Sequence, residues 1–111
     1  MTLTIFNNAF FQVSSNGLLS FRKPFIEFSP AKFPLINEIL IAPFWNDVNL
    51  ELAGQVSYRF SKNQSLLDAV QAHINESLNV SFPPAFLLIA TWDRVARFNG
   101  DPLVVRLIMC M

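Results

Sequence analysis

Gln55–Leu78 reads QVSYRFSKNQSLLDAVQAHINESL. Two periods meet in this stretch. Over Gln55–Phe60 the apolar residues Val56, Tyr58 and Phe60 alternate with Gln55, Ser57 and Arg59. That period of two belongs to a half-buried β-strand. From Gln64 the period changes: Leu66, Val70, Ile74 and Leu78 recur every four residues, with Leu67 beside them. This spacing predicts an amphipathic helix over 64–78 with those residues facing the core. Asn63 or Ser65 can cap its N-terminus, and Asp68 is placed to favour the positive end of the helix dipole. A strand running into a single helix, in a chain whose other apolar runs are short, predicts an α+β fold with a mainly antiparallel β core.

Downstream, Pro83-Pro84 stops the helix from continuing. Ala85–Trp92 (AFLLIATW) is almost wholly apolar and predicts a central strand buried on both faces. Asn99-Gly100-Asp101-Pro102 reads as a turn, and Leu103–Met109 as a last strand beside the central one. A poorly matched last strand would leave the central one with an open edge, inviting association between chains.

Upstream, Phe10–Phe21 (FFQVSSNGLLSF) predicts a β-hairpin, with Asn16 and Gly17 at the two central turn positions, both at positive φ. Residues 22–38 hold Pro24, Pro30 and Pro34 and form a connecting loop, which Phe25, Phe28 and Phe33 are expected to pin to the core. Ile39–Trp45 (ILIAPFW) is read as a buried strand interrupted by Pro43, and Asn46–Asn49 as a turn.

Composition narrows the functional classes. The 111 residues carry no net charge, with 52% hydrophobic and 14% charged residues. Soluble domains average about 25% charged. Disorder is excluded by this apolar content, and zero net charge argues against a nucleic-acid partner. The single Cys excludes a disulfide framework and a cysteine zinc site. Met1–Asn8 has neither the basic residue nor the apolar run of a signal peptide. No run approaches the roughly 18 apolar residues of a membrane span, so direct membrane insertion by this segment is not expected. Twelve Phe residues imply a dense aromatic core or an apolar surface that another chain covers.

Catalytic groups are sparse. His73 is the single His and lies at the edge of the helix stripe; Cys110 is the penultimate residue. Asn46, Asp47 and Asn49 offer oxygen ligands, but one carboxylate falls short of what calcium needs. Asx side chains bonding the turn backbone are the simpler reading. A metal-assisted hydrolase built on Asp47 and His73 is the weakest functional alternative. No cofactor, metal site or catalytic residue is expected. Asp93 and Arg94 are expected to pair with charges on a neighbouring strand, such as Arg59. Three N-glycosylation sequons begin at Asn63, Asn75 and Asn79. On the helix, Asn75 points about 110° from the middle of the apolar stripe, and Asn79 further still.

In order along the chain, several blocks resemble the extracellular NIDO domain family. They are Val13-Ser14-Ser15-Asn16-Gly17-Leu18-Leu19-Ser20-Phe21, then Phe33-Pro34-Leu35, then Ile41-Ala42-Pro43-Phe44-Trp45-Asn46-Asp47-Val48. Gly54–Arg59 (GQVSYR) and Leu88-Ile89-Ala90-Thr91-Trp92-Asp93-Arg94-Val95 complete the series. The most specific pair is Ala42-Pro43-Phe44-Trp45-x-Asp47-Val48, followed at the family's distance by Thr91-Trp92-Asp93-x-Val95. The resemblance covers about 10–101. Leu103–Met111 departs from the family pattern, so 1–111 is expected to hold a single domain of this kind, incomplete relative to the family. The resemblance implies a non-catalytic extracellular module in cell–matrix adhesion, secreted or on the outer part of a membrane protein. Its partner would be an extracellular matrix or cell-surface protein. The alternative is a small intracellular protein-binding domain using an exposed apolar surface.

Overall fold

The computed structural model describes residues 3–6, 9–21, 23–97 and 102–110, with side chains over 11–21, 23–97 and 102–109. Seven strands and one helix follow in the order β1 (Leu3–Phe6), β2 (Ala9–Ser14), β3 (Leu18–Phe21), β4 (Ile39–Ile41), β5 (Gln55–Ser61), α1 (Gln64–Leu78), β6 (Leu87–Val95) and β7 (Leu103–Cys110). This is the α+β arrangement that the two sequence periods require. The chain divides into two compact units, each discontinuous in sequence. One comprises 1–57 and 91–105, the other 58–90 and 106–111.

In the first unit, β1 to β4 form an antiparallel sheet in sequence order. The β2–β3 hairpin pairs Ser14 with Leu18 and Val13 with Leu19, leaving the three-residue loop Ser15–Gly17. Gly17 N–H donates to Ser14 O at 3.2 Å, and Gly17 sits at φ +87. Asn16 is not among the residues with positive φ. The two-residue turn expected at Asn16-Gly17 is therefore corrected. Ser15 and Asn16 occupy the centre of an ordinary turn, and Gly17 supplies the left-handed residue that returns the chain to the strand. Phe11, Val13, Leu18 and Leu19 are buried.

Ile39–Trp45 is not the buried strand the sequence suggests. Only Ile39–Ile41 pairs, against Leu19–Phe21, and none of the three is buried. Pro43 is exposed just past its end, where a missing N–H breaks no ladder.

The strands β5, β6 and β7 form a second sheet with β6 in the centre. Gly54, just before β5, lies against Val95 at the end of β6. Phe60 near the end of β5 meets Phe86 just before β6, ring centroids 5.9 Å apart. The two strands are thus antiparallel. Leu87, Leu88, Ile89, Ala90, Trp92 and Val95 of β6 are all buried, as the apolar run requires, and β7 covers the edge that would otherwise be open. The turn expected at 99–102 lies outside the described residues apart from Pro102.

Burial in β6 skips a step at its end: Trp92 and Val95 are both buried, with Arg94 exposed between them. Strict alternation would bury 92 and 94. Arg94 takes φ +50 and acts as the extra residue of a bulge, resetting the phase so that Val95 turns inward. Gly54, at φ +91, fits against this bulge; a Cβ there would meet Arg94 O at 2.6 Å as well as the Val95 backbone.

In the second unit, helix α1 starts where the sequence places it. Asn63 is the cap: its side chain accepts from Leu66 N–H at 3.0 Å and its carbonyl from Leu67 N–H at 2.9 Å. Asp68 falls just past the first turn and accepts from Gln64 Nε2 at 2.8 Å, so it stiffens the helix by an i,i+4 side-chain bond instead of acting on the dipole. Leu67 packs with Leu87 and Ile89, and Leu66 and Val70 border them. Leu78, expected in the core, is 69% exposed. The cluster spans three residues of a strand, about 7 Å, whereas a 15-residue helix is about 22 Å long. Its first two turns meet the cluster, and the last turn runs past it. Replacing the cap by Asn63→Ala is expected to cost about 1 kcal/mol. Urea unfolding of bacterially made, unglycosylated protein would measure this, and a loss below about 0.3 kcal/mol would show that the cap contributes little.

Candidate functional site

The first unit is tied together where the β2–β3 hairpin loop meets residues 44–48. Phe44 N–H donates to Gly17 O at 3.4 Å, and Asn46 N–H to Asn16 O at 3.1 Å. The Asn16 side chain accepts from Val48 N–H at 3.1 Å and donates to Glu27 O at 3.5 Å. Glu27 O also accepts from Trp45 Nε1 at 3.1 Å. From β6, Trp92 Nε1 donates to Ser14 O at 2.8 Å, and its ring meets Phe44 edge-on at 5.4 Å. Asn16, Gly17, Trp45 and Trp92 therefore belong to one hydrogen-bonded knot, formed by four segments: the hairpin loop 14–17, Glu27, residues 44–48 and β6. Ser14 and Glu27 enter through backbone carbonyls, which no side-chain pattern announces.

The remaining motif residues fall elsewhere. Asp93 and Arg94 pair with each other, Arg94 Nε to Asp93 Oδ1 at 3.3 Å, and both reach solvent. The expected partner on a neighbouring strand gives way to this local contact, because the bulge turns Arg94 outward. They border an open hollow of about 530 Å³ with Ala53, Gly54, Gln55 and Pro102.

At Asn46–Asn49 the two amide oxygens are spent on the backbone. Asn46 Oδ1 accepts from Asp47 N–H at 2.8 Å, and Asn49 Oδ1 from Glu51 N–H at 3.0 Å. The Asn49 bond is an Asx turn, and the Asn46 bond is a shorter one to the adjacent residue. Among the described residues, no three His, Cys, Asp or Glu side chains gather as metal ligands. His73 is exposed on α1, and the Cys110 side chain lies outside the described ones. Among the described residues, no helix is long and apolar enough to cross a membrane.

Loop 23–38 shows how the knot presents a surface. Phe25 is buried and packs on Trp45 with ring centroids 5.4 Å apart; Phe33 meets the same indole at 6.0 Å. Lys23 Nζ bridges to Glu38 Oε1 at 2.9 Å across the loop ends. Of the three phenylalanines expected as pins, Phe25 alone is buried. Phe28 and Phe33 are about half exposed, Ile26 is 78% exposed and Ile36 88% exposed. Of these residues Phe33 also lines a cavity of about 260 Å³, with Pro34, Leu35, Glu38, Ile39 and Leu40. A loop carrying this much exposed apolar side chain suits recognition, since exposed apolar surface marks interaction sites.

The sequon asparagines Asn63, Asn75 and Asn79 are all exposed. Asn79 ends the helix at φ +54, its N–H donating to Asn75 O at 2.8 Å.

Comparison with known proteins gives a consistent answer. The profile of the nidogen-like domain (NIDO) family matches residues 8–102. Alpha-tectorin of Mus musculus is 31% identical over 92 residues, and that of Gallus gallus 33% identical over 92. Each match covers 80% of this chain and 4% of the tectorin. Nidogen of Drosophila melanogaster is 28% identical over 93 residues, covering 79% of this chain and 7% of its own length. The chain thus spans a small part of the relatives it matches. No solved structure matches it significantly.

Proposed function

The chain belongs to the nidogen-like domain family, and from that premise we propose that it is a non-catalytic extracellular interaction module acting in cell–matrix adhesion. The observation that carries this reading is the apolar surface of loop 23–38. Ile26, Phe28, Phe33 and Ile36 stand in solvent on a loop that Trp45, Asn16 and the Lys23–Glu38 bridge hold in place. Its partner is an extracellular matrix or cell-surface protein that covers these side chains. Family membership supports the extracellular setting over an intracellular use of the same surface. No turnover is expected to depend on His73, Asp47 or Cys110.

The test is binding of the secreted, purified chain to decellularised matrix, alongside the double variant Ile26→Asp/Ile36→Asp. Two exposed residues are changed, so folding is expected to survive, and a melt of the variant checks it. Binding is expected to fall about tenfold or more, the effect of losing a modest hot spot. Equal binding by the two proteins would remove the loop from the interface.

A further inference from the structure

We propose that Asn79 carries an N-linked glycan that covers the apolar surface formed by Leu78, Val80 and Phe82. This inference rests on the extracellular reading, because the sugar donor belongs to the secretory pathway. The sequon is Asn79-Val80-Ser81, without proline in the middle position. Asn79 sits in the left-handed conformation that closes α1, and residues 80–84 continue without helix or strand. Asn79 is exposed, and the chain leaves the helix at this point, so a bulky group there meets no following turn of helix.

The surroundings distinguish this sequon from the other two. Leu78 is 69% exposed, and Val80 and Phe82 are each 48% exposed. All three lie within three residues of Asn79, about 10 Å of extended chain at most. Asn75 is bordered by Asp68, Gln71, Ala72 and Glu76, a largely polar neighbourhood to which Leu78, three residues on, adds one exposed apolar side chain, whereas Val80 and Phe82 lie past the helix end. At Asn63 the side-chain oxygen is committed to Leu66 N–H. A glycan is bulky and solubilising, and an apolar cluster at a helix end is the surface that most needs it.

The transfer balances simply. The amide nitrogen of Asn79 forms a bond to the anomeric carbon of a lipid-pyrophosphate-linked oligosaccharide. The bond from that carbon to the pyrophosphate oxygen breaks, the lipid pyrophosphate leaves, and the amide nitrogen gives up one proton.

The experiment uses the full chain behind a cleavable secretory leader in mammalian cells, with Ser81→Ala and Ser77→Ala as variants. Ser81→Ala abolishes the Asn79 sequon and keeps Asn79 as the helix cap, which Asn79→Gln would not. Peptide mass mapping after N-glycosidase treatment reads occupancy at Asn79. An apolar-sensitive dye and sedimentation read the covered surface. Asn79 is expected to be occupied, and Ser81→Ala to raise dye fluorescence at least about twofold with a shift to larger species, while Ser77→Ala changes neither. Bacterially made wild-type and Ser81→Ala chains are expected to match, which assigns the difference to the sugar. An unmodified Asn79, or a glycan whose loss leaves dye binding and sedimentation unchanged, would overturn the proposal. The leader is supplied in the experiment, so this outcome is independent of where the parent protein resides. The matrix-binding test can fail while this one succeeds, and the reverse.

Discussion

Trp92→Ala is expected to destabilise the protein by about 3–5 kcal/mol, the usual cost of emptying a large aromatic site in a core. The indole is fully buried in the first unit, edge-on to Phe44 at 5.4 Å, with Nε1 bonded to Ser14 O at 2.8 Å. The truncation leaves a cavity and also removes from the Ser14 carbonyl one of its donors, the other being Gly17 N–H. Domains of this size hold only about 5–15 kcal/mol in total, so the variant should be partly unfolded at 37 °C. Trp92→Phe divides the two contributions. It keeps most of the ring but removes one donor from Ser14 O, which retains Gly17 N–H at 3.2 Å, for an expected loss of about 0.5–1.5 kcal/mol. Urea denaturation followed by circular dichroism measures both. A Trp92→Ala midpoint close to that of the wild type would mean that the knot around Ser14 is not what holds the unit together.

Gly17→Val is expected to cost about 2–5 kcal/mol, adding a left-handed backbone penalty of about 1–2 to overpacking of about 1–3. Gly17 sits at φ +87, and a Cβ there would collide with the carbonyl of Phe44. That carbonyl belongs to a backbone already bonded to Gly17 O and Asn16 O, so it cannot retreat without breaking the loop's docking. Because the collision arises at the first side-chain carbon, Gly17→Ala should lose most of what Gly17→Val loses. Were β-branching the cause, alanine would be mild. A Gly17→Ala loss under about 0.5 kcal/mol, the scale of an ordinary surface change, would contradict the close approach of the hairpin loop to Phe44.

Much of the fold was legible because it rests on local rules. The alternation over Gln55–Phe60, the Asn63 cap and the apolar run Leu87–Trp92 each state their structure within a few residues. The misreadings at Asn16-Gly17 and Leu78 share one physical source: the deciding partner lies outside the segment that was read. Asn16-Gly17 looks like a two-residue turn until Phe44, Asn46 and Val48 dock on the loop. Leu78 has the right spacing for the core, but the Leu87–Ile89 cluster it would join is too short to reach it. Nothing local marks Arg94 for positive φ; the bulge follows from having to bury both Trp92 and Val95. The motif residues were identifiable by resemblance, yet their chemistry was not. Pairing Trp45 and Trp92 with the carbonyls of Glu27 and Ser14 requires the folded backbone, since a carbonyl is common to every residue.

The bond from Trp92 to Ser14 joins residues 78 positions apart, and this bears on the order of events at the ribosome. The β2–β3 hairpin is synthesised early, but the side chain that finishes its environment arrives last. At about 5–20 residues per second, the interval is about 4–16 s. Throughout it the hairpin has no indole over Ser14, and all of 58–90 must pass before the first unit can close around Thr91–Val105. Contacts of such sequence separation reward the chain late, so the β1–β4 sheet stays without this part of its core until β6 is complete.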